Sequence, residues 1–148
     1  MIVVDASISL KWFLPEPNSA EALALLRGGH KLVAPEIIKY EVIAGLVRRV
    51  RQDQLSAEEA RESVEDWLDA LSNETVHLII DDRLIAEAAQ IACEIRHPLY
   101  DCLYLALARR LDAPLVTADQ TLIQRAGTVL PEVYSLQTIP NHLLGQAI

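Results

Sequence analysis

Two short apolar runs end at aspartates. Ile2-Val3-Val4 leads straight into Asp5, and Leu115-Val116-Thr117-Ala118 leads into Asp119. Both runs have the apolar, β-branched character of buried strands, so each carboxylate falls where a strand reaches the surface. Asp101 lies within Leu99-Tyr100-Asp101-Cys102-Leu103-Tyr104-Leu105-Ala106-Leu107-Ala108, a helical stretch that is apolar on nearly every side. A carboxylate buried there needs partners. Its place in the first turn puts it at the positive end of the helix dipole, which favours the ionised form a metal ligand requires. Glu41 shares a helical stripe with Ala44, Gly45 and Arg48, so small residues leave room beside it.

Each acid also has a plain structural reading. Asp5 and Asp119 suit N-caps for helices starting near Ser7 and Thr121, and Asp101 suits a capping or N3 aspartate after Pro98. Glu41 can pair with Arg48 on a solvated face. Convergence makes the difference, because a parallel sheet gathers its strand ends at one edge. Clustered carboxylates repel and raise one another's pKa values, and a divalent cation relieves that repulsion. Oxygen donors favour Mg²⁺, with Mn²⁺ as a substitute, over zinc. Such a site can polarise a phosphoryl oxygen and make hydroxide from bound water. The reaction class expected is phosphodiester hydrolysis.

The elements that must position these acids follow from periodicity. Strands are expected at Ile2–Val4, Leu32–Ala34, Val76–Ile80, Leu115–Thr117 and Val133–Ser135. Asn18 with Glu21, and Ser56 with Glu59, are helix-start signatures. Pro35 is expected to open a helix running to about Arg49. Ser56 to Leu71 is amphipathic, with Val64, Trp67, Leu68 and Leu71 on one face. Further helices are expected at Arg83–Ile95, Leu99–Leu111 and Thr121–Ala126. Strand alternating with helix predicts an α/β class with a mostly parallel sheet, whose ligands bind beyond the carboxyl ends of the strands.

The 148 residues predict one domain, 1–148, large enough for a core without staples. Hydrophobic residues make up 51% and charged residues 23%, a globular composition. The net charge of -8 argues against a basic nucleic-acid-binding footprint. It does not exclude a nuclease, because a bound cation inverts the local sign. Cys93 and Cys102 read as reduced core thiols. With no signal-peptide pattern and no membrane-spanning run, the expected location is the cytoplasm.

Taken in order, Val3-Val4-Asp5-Ala6-Ser7, the segment from Pro35 to Val42 with Glu41, Tyr100-Asp101-Cys102-Leu103-Tyr104-Leu105-Ala106-Leu107-Ala108 and Leu115-Val116-Thr117-Ala118-Asp119 resemble the PIN domain. The order and spacing are most similar to the VapC-type toxin ribonucleases of bacterial toxin–antitoxin pairs, over residue 2 to about 135. The resemblance implies a three-layer α/β/α fold with about five short strands. It also implies a metal-dependent endoribonuclease, with an acidic quartet at Asp5, Glu41, Asp101 and Asp119. Ser7 and Thr117 match hydroxyl positions that support the acids. Mg²⁺ or Mn²⁺ is the implied cofactor, and RNA, a cognate antitoxin and a second copy of the chain are the implied partners. Cys102 stands where alanine is usual, and Asp112 where glycine is common; neither touches the quartet.

Other features read more simply. Arg48, Arg49 and Arg51 form a basic cluster able to grip phosphates, but they also complement the end of their helix. His97 reads as a loop residue before Pro98, and no histidine pair has metal spacing. The stripe around Trp67 reads as core or dimer contact rather than a base-stacking platform. Two alternatives stay open. One is a phosphatase with Asp5 as nucleophile, although Ser7 stands where that class places a second aspartate. The other is a receiver-like or inactive partner-binding module.

Overall fold

A computed structural model describes residues 1–145. Five strands form one sheet: β1 (Ile2–Val4), β2 (Leu32–Pro35), β3 (His77–Ile79), β4 (Leu115–Val116) and β5 (Val133–Tyr134). Their order is β3-β2-β1-β4-β5, and every pairing is parallel. Val3 aligns with Val33 on one side and with Leu115 on the other, so β1 is central. Its three residues are wholly buried, as expected of a strand covered on both faces.

Helices fill the connections. Between β1 and β3 these are α1 (Ala6–Leu10), α2 (Ser19–Arg27), α3 (Ile38–Arg51) and α4 (Ala57–Ser72). After β3 come α5 (Arg83–Ile95), α6 (Leu99–Leu111) and α7 (Gln120–Ala126), followed by a 3₁₀ turn at Asn141–Leu143. Right-handed crossovers put α1–α4 on one face and α5–α7 on the other, giving the expected three-layer α/β/α arrangement. The chain leaves β1 toward β2 and β3, then returns to β4 and β5 on the opposite side. The order therefore reverses between β1 and β4, the point where such sheets open a binding crevice.

Several local expectations change. Pro35 ends β2 rather than opening a helix, and α3 starts at Ile38. Pro35 lies at the last strand position, whose missing N–H leaves only its carbonyl for the ladder. Asn18 precedes α2 in a left-handed conformation (φ 65°) and makes no side-chain cap bond. The Ser56 box is present: Glu59 N–H donates to Ser56 Oγ at 3.1 Å, and Ser56 N–H donates to Glu59 Oε2 at 2.8 Å. Cys102 is buried, but Cys93 is exposed and not a core thiol. Leu68, expected on the apolar face of α4, is 47% exposed, because the stripe narrows onto Trp67.

Trp67 ties the layer that carries Glu41. Its ring is fully buried against Trp12 and Phe13, with centroids 6.4 and 6.2 Å away. Its indole N–H donates to the Lys39 carbonyl at 3.2 Å, fixing α4 to the start of α3. Trp67→Ala should cost about 3–5 kcal/mol through the cavity it leaves. Trp67→Phe, which loses the hydrogen bond but keeps a ring, should cost less. Urea unfolding of both variants checks the order.

Candidate metal centre at the sheet's carboxyl edge

Asp5 leaves β1 at the switch point and caps α1. Its Oδ1 accepts from Ser7 N–H at 2.7 Å and from the Ser7 hydroxyl, and its Oδ2 accepts from the Thr117 hydroxyl beyond β4. The capping and site readings of Asp5 are thus one arrangement, since the cap bond orients the carboxylate. Ser7 Oγ also accepts from Ala118 N–H at 2.9 Å, and Thr117 Oγ1 accepts from Asp119 N–H at 3.1 Å. The two hydroxyls therefore stitch the end of β1 to the loop after β4. Asp119 caps α7, its Oδ1 accepting from Leu122 N–H at 3.0 Å. Its Oδ2 faces the cluster.

Glu41 and Asp101 come from opposite layers. Glu41, in the first turn of α3, is half-buried, and its Oε1 accepts from the Tyr104 hydroxyl of α6 at 2.6 Å. The solvated-face reading fails here: Glu41 points into the fold and makes no ion pair with Arg48. Asp101 sits in the first turn of α6, half-buried rather than enclosed. Asp5, Ala6, Ser7, Leu10, Glu41, Arg48, Asp101, Tyr104 and Asp119 line one cleft of about 330 Å³. All four predicted acids and Ser7 reach it, and Thr117 lies buried behind Asp5.

Charge within the cleft is unbalanced. Burial pushes the Asp5 carboxyl above its usual value; hydrogen bonds from Ser7 and Thr117 oppose that, and the Asp101 charge adds to it. Burial likewise raises Glu41, opposed by the Tyr104 bond, with Asp5 and Asp101 adding repulsion. Tyr104 is driven far up by burial and by Glu41, so its hydroxyl keeps its proton and remains a donor.

His97 is the residue that sequence reasoning missed. It is 8% exposed, and its Nε2 lies 2.8 Å from Asp101 Oδ2 and 3.6 Å from Asp119 Oδ2. One ligand atom from each of His97, Asp101 and Asp119 falls within 4.8 Å of the others. His97 does lie in the loop before Pro98, as expected; the signal available for its contact was the four-residue step to Asp101. Arg49 donates to the Gly45 carbonyl at 3.3 Å and pairs with Glu16, whereas Arg48 faces the acids. The basic cluster therefore divides between closing its helix and lining the cleft.

The PIN domain family model matches residues 2–128. The chain belongs to the PIN domain family. A relative named VapC ribonuclease Mb0985, from Mycobacterium bovis, is 32% identical over 124 residues, covering 82% of this chain and 88% of that protein. The crystal structure of PAE2754 from Pyrobaculum aerophilum superposes with a TM-score of 0.74 at 20% identity, over 98% of this chain and 90% of that one. A toxin–antitoxin complex from Klebsiella pneumoniae gives 0.61 at 20% identity, over 94% of this chain and all of the matched one. These structures share the PIN fold described above.

The donor set of this PIN domain suits a hard divalent cation. Four carboxylates share one cleft, and two of them are held above their usual pKa partly by the others' charge. A separate cleft of about 320 Å³ between the ends of β2 and β3 is mostly apolar. It is bordered by the exposed Tyr40, Ile80, Ile85 and Tyr100. No helix among the described residues is long and apolar enough to cross a membrane.

The raised Asp5 gives a pH signature. Its protonated form is favoured in the fold, so its contribution to stability is fully present below about pH 3.8, its unfolded value, and is lost as pH rises through the higher folded value. An asparagine does not titrate. In EDTA, wild type should therefore lose stability relative to Asp5→Asn as pH rises from about 4 to 7. Urea melts across that range check the sign.

Proposed function

We propose that this chain is a divalent-cation-dependent endoribonuclease, the toxin of a toxin–antitoxin pair, formed as one PIN domain and acting in the cytoplasm. The convergence of Asp5, Glu41, Asp101 and Asp119 on one cleft carries the reading. The VapC ribonuclease name of the Mycobacterium bovis relative supports RNA as substrate. The likeness to a chain of the Klebsiella pneumoniae toxin–antitoxin complex supports an antitoxin partner. The exposed apolar cleft supports protein partners generally, because contiguous apolar surface of this kind is usually covered. A homodimer is part of the proposal.

Asp5, Asp101 and Asp119 would hold the cation, Mg²⁺ or Mn²⁺, with Glu41 at a second position or on the attacking water. When bound, such an ion supplies Lewis acidity at a phosphoryl oxygen and lowers the pKa of bound water. The chain's own groups do the positioning. Ser7 and Thr117 fix both oxygens of Asp5 in direction. Tyr104 anchors Glu41 by one oxygen, leaving the other for water. A carboxylate raised by burial is a better base than an exposed one, so Glu41 is suited to take a proton from that water. The water oxygen bonds to phosphorus, the P–O bond to the leaving oxygen breaks, that oxygen takes a proton from solvent water, and Glu41 returns its proton to solvent. Arg48 offers the cleft a cation for a substrate phosphate.

Cleavage of a panel of transfer and structured RNAs, with Mg²⁺, Mn²⁺ or EDTA, tests the reading. Asp101→Asn should lower cleavage more than about 100-fold, since losing a ligand exceeds the effect of losing a supporting contact. In EDTA its melting temperature should stay close to wild type. Equal cutting by both chains would overturn the assignment. Saturating Mg²⁺ should also raise the wild-type melting temperature by about 5–10 °C, from about 2.7 kcal/mol at a hundredfold excess over Kd. No shift with either ion would count against the site.

A further inference from the structure

His97 stands behind the acids rather than among them. The cleft wall includes Asp101 and Asp119 but not His97, whose Nε2 lies 2.8 and 3.6 Å from their Oδ2 atoms. Its partners set its tautomer. Nε2 faces two carboxylates that only accept when ionised, so Nε2 must carry the proton it shares with Asp101 at 2.8 Å. Nδ1 faces the Arg125 guanidinium, which only donates, at 3.5 Å, so Nδ1 must be the acceptor. Nδ1 points away from the acids toward Arg125 of α7, and Nε2 is taken up by its bond to Asp101. Both ring nitrogens therefore have partners.

Arg125 holds this arrangement from α7. Its guanidinium also donates to the carbonyl of Arg96, the left-handed residue (φ 53°) that ends α5. One side chain thus fixes both the turn that presents His97 and the ring itself. The chain of contacts runs from Arg125 through His97 to Asp101, with Asp119 at the same nitrogen's edge.

We propose that His97 is a positioning residue of the cation site: held by Arg125, it orients Asp101, and through it the Asp101–Asp119 pair, without binding the ion. This rests on the cation reading above. It differs from a nitrogen ligand in consequences that can be measured. Glutamine places a donor N–H close to the position of Nε2, so His97→Gln should keep the function that His97→Ala removes.

The test is Mn²⁺ binding to the full chain, followed by the electron paramagnetic resonance signal of free Mn²⁺, with pulsed measurements for nitrogen bonded to the ion. His97→Ala should weaken binding about 10–100-fold, the usual cost of losing a contact that orients a ligand. His97→Gln should stay within about threefold of wild type, Arg125→Met should fall between, and wild-type Mn²⁺ should show no bonded nitrogen. Wild-type affinity in His97→Ala would overturn the proposal, as would bonded nitrogen in wild type. Should His97→Ala fail to fold, unchanged affinity in Arg125→Met would overturn it instead. An Asp101→Asn variant that loses Mn²⁺ while His97→Ala keeps it would defeat this inference alone. No uptake by wild type would defeat the cation reading and this inference with it.

Discussion

Like charges brought to one sheet edge must be compensated, and much of this fold near the edge serves that requirement. The strand order reverses between β1 and β4, so the residues that leave these strands meet in the crevice. Asp5 is the most buried of the acids there, and it is tolerated because three donors point at it. Ser7 N–H, the Ser7 hydroxyl and the Thr117 hydroxyl reduce the cost of its charge without cancelling it. What remains is the uncompensated negative charge on which the proposed cation site rests. The same bonds hold the end of β1 against the loop after β4, so structure and site share their hydrogen bonds.

The two helical layers contribute in different ways. From one, α3 delivers Glu41, held in place by Trp67 beneath Lys39. From the other, α6 delivers Asp101 and the Tyr104 hydroxyl that reaches Glu41. Tyr104 is wholly buried with its proton retained, so this bond joins the layers across the edge through a donor that does not titrate near neutrality. Arg48, one helical stripe from Glu41, brings the cleft its positive side chain. A site with four acids and one guanidinium would suit an anionic substrate only with a cation bound, which would reconcile a net charge of -8 with the proposed phosphodiester substrate.

Much of this was legible in the sequence because the signals were local. Apolar β-branched runs gave the strands near Asp5 and Asp119, and the Ser56 box marked the start of α4. Asp5, Asp101 and Asp119 were identifiable because each lies at an element's end or on an apolar helix, where a carboxylate needs a reason, whereas Glu41 entered only through the resemblance to the PIN domain. Pro35 was misread because a proline suits both a first helical turn and a last strand position, and only pairing with Ile79 decides between them. Glu41 looked solvated because its partner, Tyr104, is distant in sequence. His97 was missed for a related reason. Its contact with Asp101 spans a turn that Pro98 obscures, and those with Asp119 and Arg125 depend on α7 folding back onto the α5–α6 corner.

The claim that these carboxylates form a cation site is tested most directly by anomalous diffraction from crystals of the full chain grown with Mn²⁺. A single strong peak is expected in the cleft, within bonding reach of Asp5, Asp101 and Asp119, with any second peak beside Glu41. No peak there at saturating Mn²⁺, or peaks confined to exposed acids such as Asp82, would contradict it.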